Sequence, residues 1–423
     1  MNLYSRQIGA FGVETMKNIL TLDVLILGAR GVGVEAAKNL ILAGPRSVTL
    51  YDRTPVSISD FGANCFLREE HIGKRRGEVC LEALSKLNPY VKVHELEGEL
   101  TNEVLSRYGV VIATDNDMGW KQLSEIGRVC HESGTTFIMG LATGVMATFF
   151  SDFGEKHTIT DADGEPLRIS VASSMDVSRT AEGKLKVLVV VAKENHGFDD
   201  GDLVQFSSVK GQGVDALNGL GPVAVRRVYL SLEGGKRQRL VPDRFELDLT
   251  EAQEAALVAA GPEYCYVNGG VVTEVKKRRV VHFAALGESA VHPLAGTEGF
   301  FVAHPDANKM YANRGGQLHV ARRALWAFVD RHGGALPRLH EADDAAECVR
   351  LAEGLCAEAR ALGPERALVL DALDAAVVRK TALYARTELP GLATFVGGVV
   401  AQEAVKRFGK FTPLHQWMHM DYF

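Results

Sequence analysis

Short β-branched apolar runs alternate with amphipathic stretches over the first third of the chain. Residues 24–27, 48–51 and 110–113 are nearly continuous apolar segments, the pattern of strands buried on both faces. Between them, residues 36–42 and 79–87 carry apolar side chains at helical spacing. Residues 136–139 read as the next buried strand, and 148–152 as a continuation of the same sheet. This alternation predicts a parallel sheet with crossover helices, a doubly wound α/β architecture.

The texture changes after about Gly154. Asp161-Ala162-Asp163-Gly164 is a turn signal. Short alternating segments follow at 185–192, 203–206 and 223–230, separated by glycine-rich turns such as His196-Gly197-Phe198-Asp199-Asp200-Gly201-Asp202. They predict a small all-β insertion over 169–277 without a long helix. From 280 to 377 the pattern is helical and rich in Ala and Leu, clearest at 317–330 and 341–362, with breaks at Gly333-Gly334 and Pro337. Leu389-Pro390-Gly391 opens an apolar helix with small residues in its first turns, suited to close packing, and 417–421 predicts a last strand.

At 423 residues the chain has room for two to four domains, and 46% apolar residues allow an ordinary core. A net charge of −6 argues against a nucleic-acid partner. The run Lys276-Lys277-Arg278-Arg279 reads as a solvated interdomain stretch. No apolar run is long enough for a membrane span, and the first residues lack a signal-peptide pattern, so a soluble intracellular protein is expected. The six cysteines form no CxxC pair, and neither they nor His131 and His196 have metal-ligand spacing. No metal site is expected, and most thiols read as small buried hydrophobes.

The first strand runs into Gly28-x-Arg30-Gly31-x-Gly33 and then a helix. That order approaches the dinucleotide fingerprint, in which glycines bring phosphate close to helix N-terminal N–H groups. Arg30 stands where the second glycine belongs. A shifted frame, Gly31-x-Gly33-x-x-Ala36, fits a known variant, and Asp52 ends the next strand, where an acid would bind a ribose hydroxyl. The pattern alone leaves two readings: an NAD-dependent oxidoreductase, or a doubly wound sheet that keeps its turn for packing.

A longer set of motifs carries a resemblance. Tyr4-Ser5-Arg6-Gln7, the turn at 28–35, Asp52, Phe66-Leu67-Arg68 and Ile72-Gly73-Lys74 together resemble the ubiquitin-activating enzyme family and its bacterial sulfur-carrier adenylating relatives, whose fold is the Rossmann-type ThiF/MoeB-like adenylation fold. The resemblance is greatest to the N-terminal half of the ubiquitin-activating enzyme. It implies an adenylation domain over 1–168 that resumes at 379–423, a first catalytic-cysteine half-domain at 169–277 and a four-helix bundle at 278–378. In that family the corresponding domain is inactive and pairs with an active copy.

Active copies follow DxDxxxxSNLNRQFLFR. Laid on Asp52 to Arg68 without a gap, the ribose-holding Asp falls on Thr54 and the phosphate-gripping Arg on Ala63. The Lys that follows falls on Arg76, and Asp115 of Thr114-Asp115-Asn116 matches the place of a Mg²⁺ ligand. The resemblance therefore implies a degenerate nucleotide pocket of Gly28, Arg30, Gly31, Gly33, Asp52, Thr54, Ala63, Arg76 and Asp115, which binds neither ATP nor Mg²⁺ itself. Read as residues alone, Asp115 fits a helix N-cap and Arg30 a filler of the phosphate space.

The same resemblance gives Arg6 a role, reaching across to the ATP phosphates held by the active copy. It implies an active adenylation domain, on the same chain or as a separate subunit of a modifier-activating heterodimer, and ubiquitin as partners. No nucleic-acid or membrane partner is expected, and the implied location is cytoplasm and nucleus. No catalytic residue is expected in this chain, because no cysteine has the family's PxCTxxxxP-like surroundings, and Cys265 reads as a packing residue.

Overall fold

The apolar runs form the middle of an eight-stranded sheet. In this computed structural model, residues 4–231, 238–295, 301–303 and 314–421 are described. They divide into two units, Met1–Ile159 with Val280–Phe423, and Thr160–Arg279. The expected insertion at 169–277 lies inside the second unit, and the helical and returning segments belong to the first.

The first unit begins with α1 (Ser5–Phe11) and α2 (Val13–Ile19), followed by β1 (Asp23–Leu27), α3 (Gly31–Ala43) and β2 (Ser47–Tyr51). Next come α4 (Arg76–Ser85), β3 (Lys92–Glu95), α5 (Asn102–Leu105), β4 (Val110–Ala113), α6 (Trp120–Ser133), β5 (Thr136–Thr143) and β6 (Met146–Asp152). Strands β3, β2, β1, β4 and β5 pair in parallel in that order. The sheet is not parallel throughout: β6 returns antiparallel to β5, and the strand Gln416–Asp421 runs antiparallel to β6.

Successive β1 residues feed opposite layers, as a period of two requires. Val24 and Ile26 pack with α3 and α4, while Leu25 and Leu27 pack with Leu123, Ile126 and Cys130 of α6. All four are essentially without solvent exposure, and each such side chain contributes roughly 1.5–3 kcal/mol of burial. Tyr4, Ile8 and Phe11 pack with Met16, Ile19 and Val405, which leaves Arg6 on the exposed side of α1.

In the second unit, six strands close into a barrel in the order Leu203–Gln212, Val223–Ser231, Gln238–Asp248, Leu185–Val191, Ile169–Arg179, Cys265–Val275. Val187, Val189, Phe206 and Phe245 fill its interior. This unit also holds α7 (Glu251–Ala259), a helix that the sequence pattern did not predict. Its start is fixed by a capping box in which Thr250 Oγ1 accepts the Gln253 N–H at 3.3 Å and Gln253 Oε1 accepts the Thr250 N–H at 3.0 Å. Two expectations are corrected here. Cys265 is exposed at the start of its strand rather than packed. Lys276 is not a solvated charge, because its ammonium meets Asp163 at 2.5 Å and Asp161 at 3.7 Å with the side chain only 16% exposed.

The remainder of the first unit comprises α8 (Leu286–Val291), α9 (Arg314–Arg331), α10 (Ala342–Leu362), α11 (Ala375–Leu383) and α12 (Pro390–Val405). α9, α10 and α11 share a core of Leu318, Ala324, Phe328, Cys348, Ala352 and Val378 that reaches Met146 of β6. Within α9, Arg322 is buried and donates to Asn116 Oδ1 at 2.8 Å and Thr143 Oγ1 at 2.6 Å, tying the helix to the ends of β4 and β5. Burial holds its guanidinium pKa down to about 10. Among the described residues no helix is long and apolar enough to cross a membrane.

Two buried imidazoles make stability depend on pH. Burial pushes His319 down to about 3 and His419 well below the ordinary histidine value. Both folded values lie below the unfolded value of 6.5, so the unfolded chain takes up protons first and stability falls as pH drops from about 6.5 toward 3. Between pH 6.5 and 5 each imidazole should cost roughly 1.5–2 kcal/mol. Asp115, Asp117 and Asp152, held above the usual carboxylate range chiefly by burial, act in the opposite sense. The expected result is therefore a difference: His319→Gln unfolds in urea with a shallower pH dependence than the parent between pH 6.5 and 5, and identical slopes would contradict it.

Candidate functional site

β1 lies between β2 and β4, so the connections that leave its neighbours diverge and a crevice opens at the carboxyl ends of the strands. Gly28 follows β1, Asp52 follows β2, and Asp115 closely follows β4, which brings all three to that crevice. Gly28 has φ +103°, and a Cβ there would lie 2.4–2.8 Å from atoms of the Asp115 carboxyl group. Gly33 lets α3 approach the strand, since a Cβ would come within 2.1 Å of the Gly28 carbonyl oxygen.

The N-terminus of α3 already carries an anion. The Gly31 N–H donates to Glu388 Oε2 at 3.2 Å and the Val32 N–H to Glu388 Oε1 at 2.7 Å. This is where helix N–H groups and the helix dipole hold a phosphate in nucleotide-binding turns. Arg30 borders that space and leaves the helix donors to Glu388. Its Nε lies 3.5 Å from Asp60 and 3.8 Å from Glu388, and the carboxylate of Glu388 takes the helix donors. Ala63 packs beside Gly31, where an added Cβ would lie 2.7 Å from the Ala63 methyl group.

Arg76, the first residue of α4, fills the crevice from the other side. Its Nε donates to Asp52 Oδ2 at 2.8 Å, its Nη1 to Asp60 Oδ1 at 3.0 Å, and its Nη2 to Asp115 Oδ2 at 3.5 Å. The Arg76 residue is 3% exposed. Asp52 also accepts the N–H groups of Ala29 and Thr54, each at 2.9 Å, so both its oxygens are engaged inside the protein. Asp60 accepts the Ser57 N–H at 2.8 Å.

Burial opposes the charge on Arg76, but Asp115, Asp52 and Asp60 outweigh it and hold the guanidinium above its ordinary value. Burial likewise pushes Asp115 well up, reinforced by Asp52 and Asp117 and opposed by Arg76 and Arg30. Asp115 is not a helix cap: α6 starts at Trp120 with Gly119 at its N-cap.

Two cavities remain. One of about 300 Å³ is lined by Gly28, Asp52, Thr54, Asp115 and Asp117. The other, of about 610 Å³, is lined by Arg30, Thr54, Ser57, Asp60, Arg76 and Arg386. These residues do not fit a nucleoside triphosphate. Glu388 holds the helix N–H pair, Asp115 covers Gly28, and carboxylates line the walls where phosphate charge would sit. Asp115 faces the Arg76 guanidinium at 3.5 Å, and burial raises its pKa.

Gly28, Arg30, Gly31, Gly33, Asp52, Thr54, Ala63, Arg76 and Asp115, all expected from the sequence, meet around this crevice. Arg6 stands apart on α1, exposed, with no described contact to the turn. Asp60, Asp117 and Glu388 were not expected. Ser57-x-x-Asp60 carried a cap-like signal for Asp60. Glu388 gave none, because 356 residues separate it from Val32.

Comparison with known proteins gives the class to which this fold and crevice belong. The ThiF family profile matches residues 4–421, and the chain belongs to that family. Within it, the chain is similar along its length to ubiquitin-activating enzymes. It is 35% identical over 422 residues to ubiquitin-like modifier-activating enzyme 1 of Homo sapiens, covering 99% of this chain and 35% of that protein. To ubiquitin-activating enzyme E1 1 of Schizosaccharomyces pombe it is 35% identical over 425 residues, covering 99% and 36%. To ubiquitin-like modifier-activating enzyme 7 of Mus musculus it is 34% identical over 422 residues, covering 99% and 38%. The chain spans little more than a third of the length of these relatives. Membership in this family does not favour the NAD-dependent alternative.

Proposed function

We propose that this chain is the non-adenylating N-terminal part of a ubiquitin-activating type of enzyme. It pairs with an active adenylation domain, lends Arg6 to the phosphates of the ATP·Mg²⁺ bound there, and offers its barrel insertion to ubiquitin or a ubiquitin-like modifier. ATP and magnesium belong to the partner domain. The observation that carries the reading is the occupied glycine turn: Glu388 on the helix donors and Arg76 locked to Asp52, Asp60 and Asp115.

Two further features support it. α12 is apolar nearly all round yet leaves Phe395 half exposed, and a groove of about 580 Å³ beside it is lined by Phe11, Ala43, Gly398, Ala401 and Phe411. Such an unsatisfied face fits a docked domain. Three of the buried thiols are far from a reactive thiolate, because burial pushes Cys80 up to about 11 and Cys130 and Cys348 up to about 12.

The chain alone, mixed with ubiquitin, ATP and Mg²⁺, should give no ATP–pyrophosphate exchange above a protein-free control. Exchange at an enzymatic rate by this chain in isolation would sink the proposal.

A further inference from the structure

Arg6 projects from a seven-residue helix that buries none of its own residues, so contacts outside α1 must fix where its guanidinium points. We propose that Asn88 and Gly44 are positioning residues for Arg6: between them they clamp Tyr4, the N-cap of α1, and so aim the arginine two residues further on. This rests on the proposed meeting of Arg6 with the ATP phosphates of the paired domain.

Asn88 lies in the loop between α4 and β3 and is buried, with its whole amide engaged. Its Nδ2 donates to the Ile41 carbonyl of α3 at 2.9 Å and to the Tyr4 hydroxyl at 3.0 Å, and its Oδ1 accepts the Tyr90 N–H at 3.1 Å. Two of these bonds fix the amide to its own surroundings, and the third reaches out to Tyr4. A buried donor left without an acceptor costs about 1–3 kcal/mol, so the amide holds on to the tyrosine hydroxyl.

Gly44 holds the ring from the other side. It ends α3 with φ +89°, and a Cβ there would lie 2.6–2.7 Å from Cε1, Cζ and Oη of Tyr4. A glycine is needed both for the left-handed backbone and for the close approach of the ring. On the α1 side, the Tyr4 carbonyl accepts the Ile8 N–H at 2.8 Å, so the clamped residue is hydrogen-bonded into the helix. Two residues of helix turn the chain by about 200°, which sets Arg6 opposite the inward-facing tyrosine. Ile8 and Phe11 hold the rest of α1 by apolar packing, which is non-directional. Lys410 reaches the Ala10 carbonyl at 3.2 Å, at the far end from Arg6. The directional contact at Tyr4 therefore fixes the end of α1 that carries the arginine.

The test is ATP–pyrophosphate exchange by the assembled enzyme, this chain with its active adenylation domain, with ubiquitin as the modifier. Tyr4→Phe removes the hydroxyl, Asn88→Leu its donor, and Gly44→Ala displaces the ring. Each should slow exchange at least about fivefold, because a small misplacement of a group that meets the reacting phosphates is costly. The deciding measurement repeats each substitution in the Arg6→Ala background, where it should slow exchange by less than about twofold. A merely structural role of Tyr4, Asn88 and Gly44 predicts the same loss in both backgrounds, and that result overturns the proposal. Tyr4→Phe and Gly44→Ala working at the parent rate overturn it too. If Asn88→Leu does not fold, Tyr4→Phe and Gly44→Ala decide the matter, since both leave the buried amide in place. Arg6→Ala tells the two failures apart. Exchange at the parent rate in Arg6→Ala removes the proposed role of Arg6 and the positioning with it, whereas slow Arg6→Ala beside a fast Tyr4→Phe and Gly44→Ala removes the positioning alone.

Discussion

Arg76→Ala should lower the unfolding free energy by about 3–5 kcal/mol, the largest effect expected of any single charge in the chain. The substitution leaves Asp52, Asp60 and Asp115 buried within a few ångströms of one another without the guanidinium that neutralises them. Their mutual repulsion and lost solvation then fall on the folded state alone. Arg76→Lys should recover only part of the stability, since an ammonium is a point charge and cannot fork to three carboxylates. Arg128 provides the contrast. It pairs with Glu125 and Glu132 on the surface of α6, where solvent screens the pairs, and its removal should cost far less than that of Arg76.

The Arg76 penalty carries a pH signature. Without the cation the stranded carboxylates bind protons at higher pH in the folded state than in the unfolded one, so protonation relieves the repulsion. The gap between parent and Arg76→Ala should therefore narrow as pH falls from 8 to 5 in urea unfolding. A gap below about 1 kcal/mol that does not change with pH would mean that the three carboxylates are already neutral or solvated.

The parts of this site that could be read in the sequence are those set by local rules. Strands β1, β2 and β4 are buried on both faces, and residues 24–27, 48–51 and 110–113 announce this by unbroken apolar character. The glycine turn and Asp52 then follow from chain order alone. What could not be read depends on distant partners. Glu388 reaches the turn from the loop before α12, and nothing in Thr387-Glu388-Leu389 marks a carboxylate aimed inward. Arg322 looks like any arginine of an amphipathic helix until β4 and β5 cover it. Asp115 was open to two local roles, and the loop that continues to Gly119 removed the cap while Arg76 supplied a third. The barrel suffered likewise. Its alternating strands were visible, but its closure pairs Ile169–Arg179 with Cys265–Val275 across most of the insertion, which no local pattern encodes. α7 was missed for a different reason, because its alanine-rich run has no clear apolar face and only the Thr250 box marks its start.

Arg6→Ala should have the opposite profile from Arg76→Ala: little effect on folding and a large effect on chemistry in the assembled enzyme. Arg6 is exposed on α1 and makes no described side-chain interaction, so its truncation should change stability by less than about 0.5 kcal/mol. If its guanidinium meets the ATP phosphates of the paired domain, each charge-assisted hydrogen bond it makes there is worth about 1.5–3 kcal/mol. At about 1.4 kcal/mol per factor of ten, ATP–pyrophosphate exchange should slow roughly 10- to 150-fold. The affinity for ubiquitin should hardly move, because in the proposed role the guanidinium would meet phosphate and not the modifier. Arg6→Lys should restore part of the rate, a charge without the fork. ATP turnover, rather than modifier binding, is therefore the quantity to follow. Exchange at the parent rate in Arg6→Ala, with the paired assembly intact by size measurement, would show that this arginine is an ordinary surface charge.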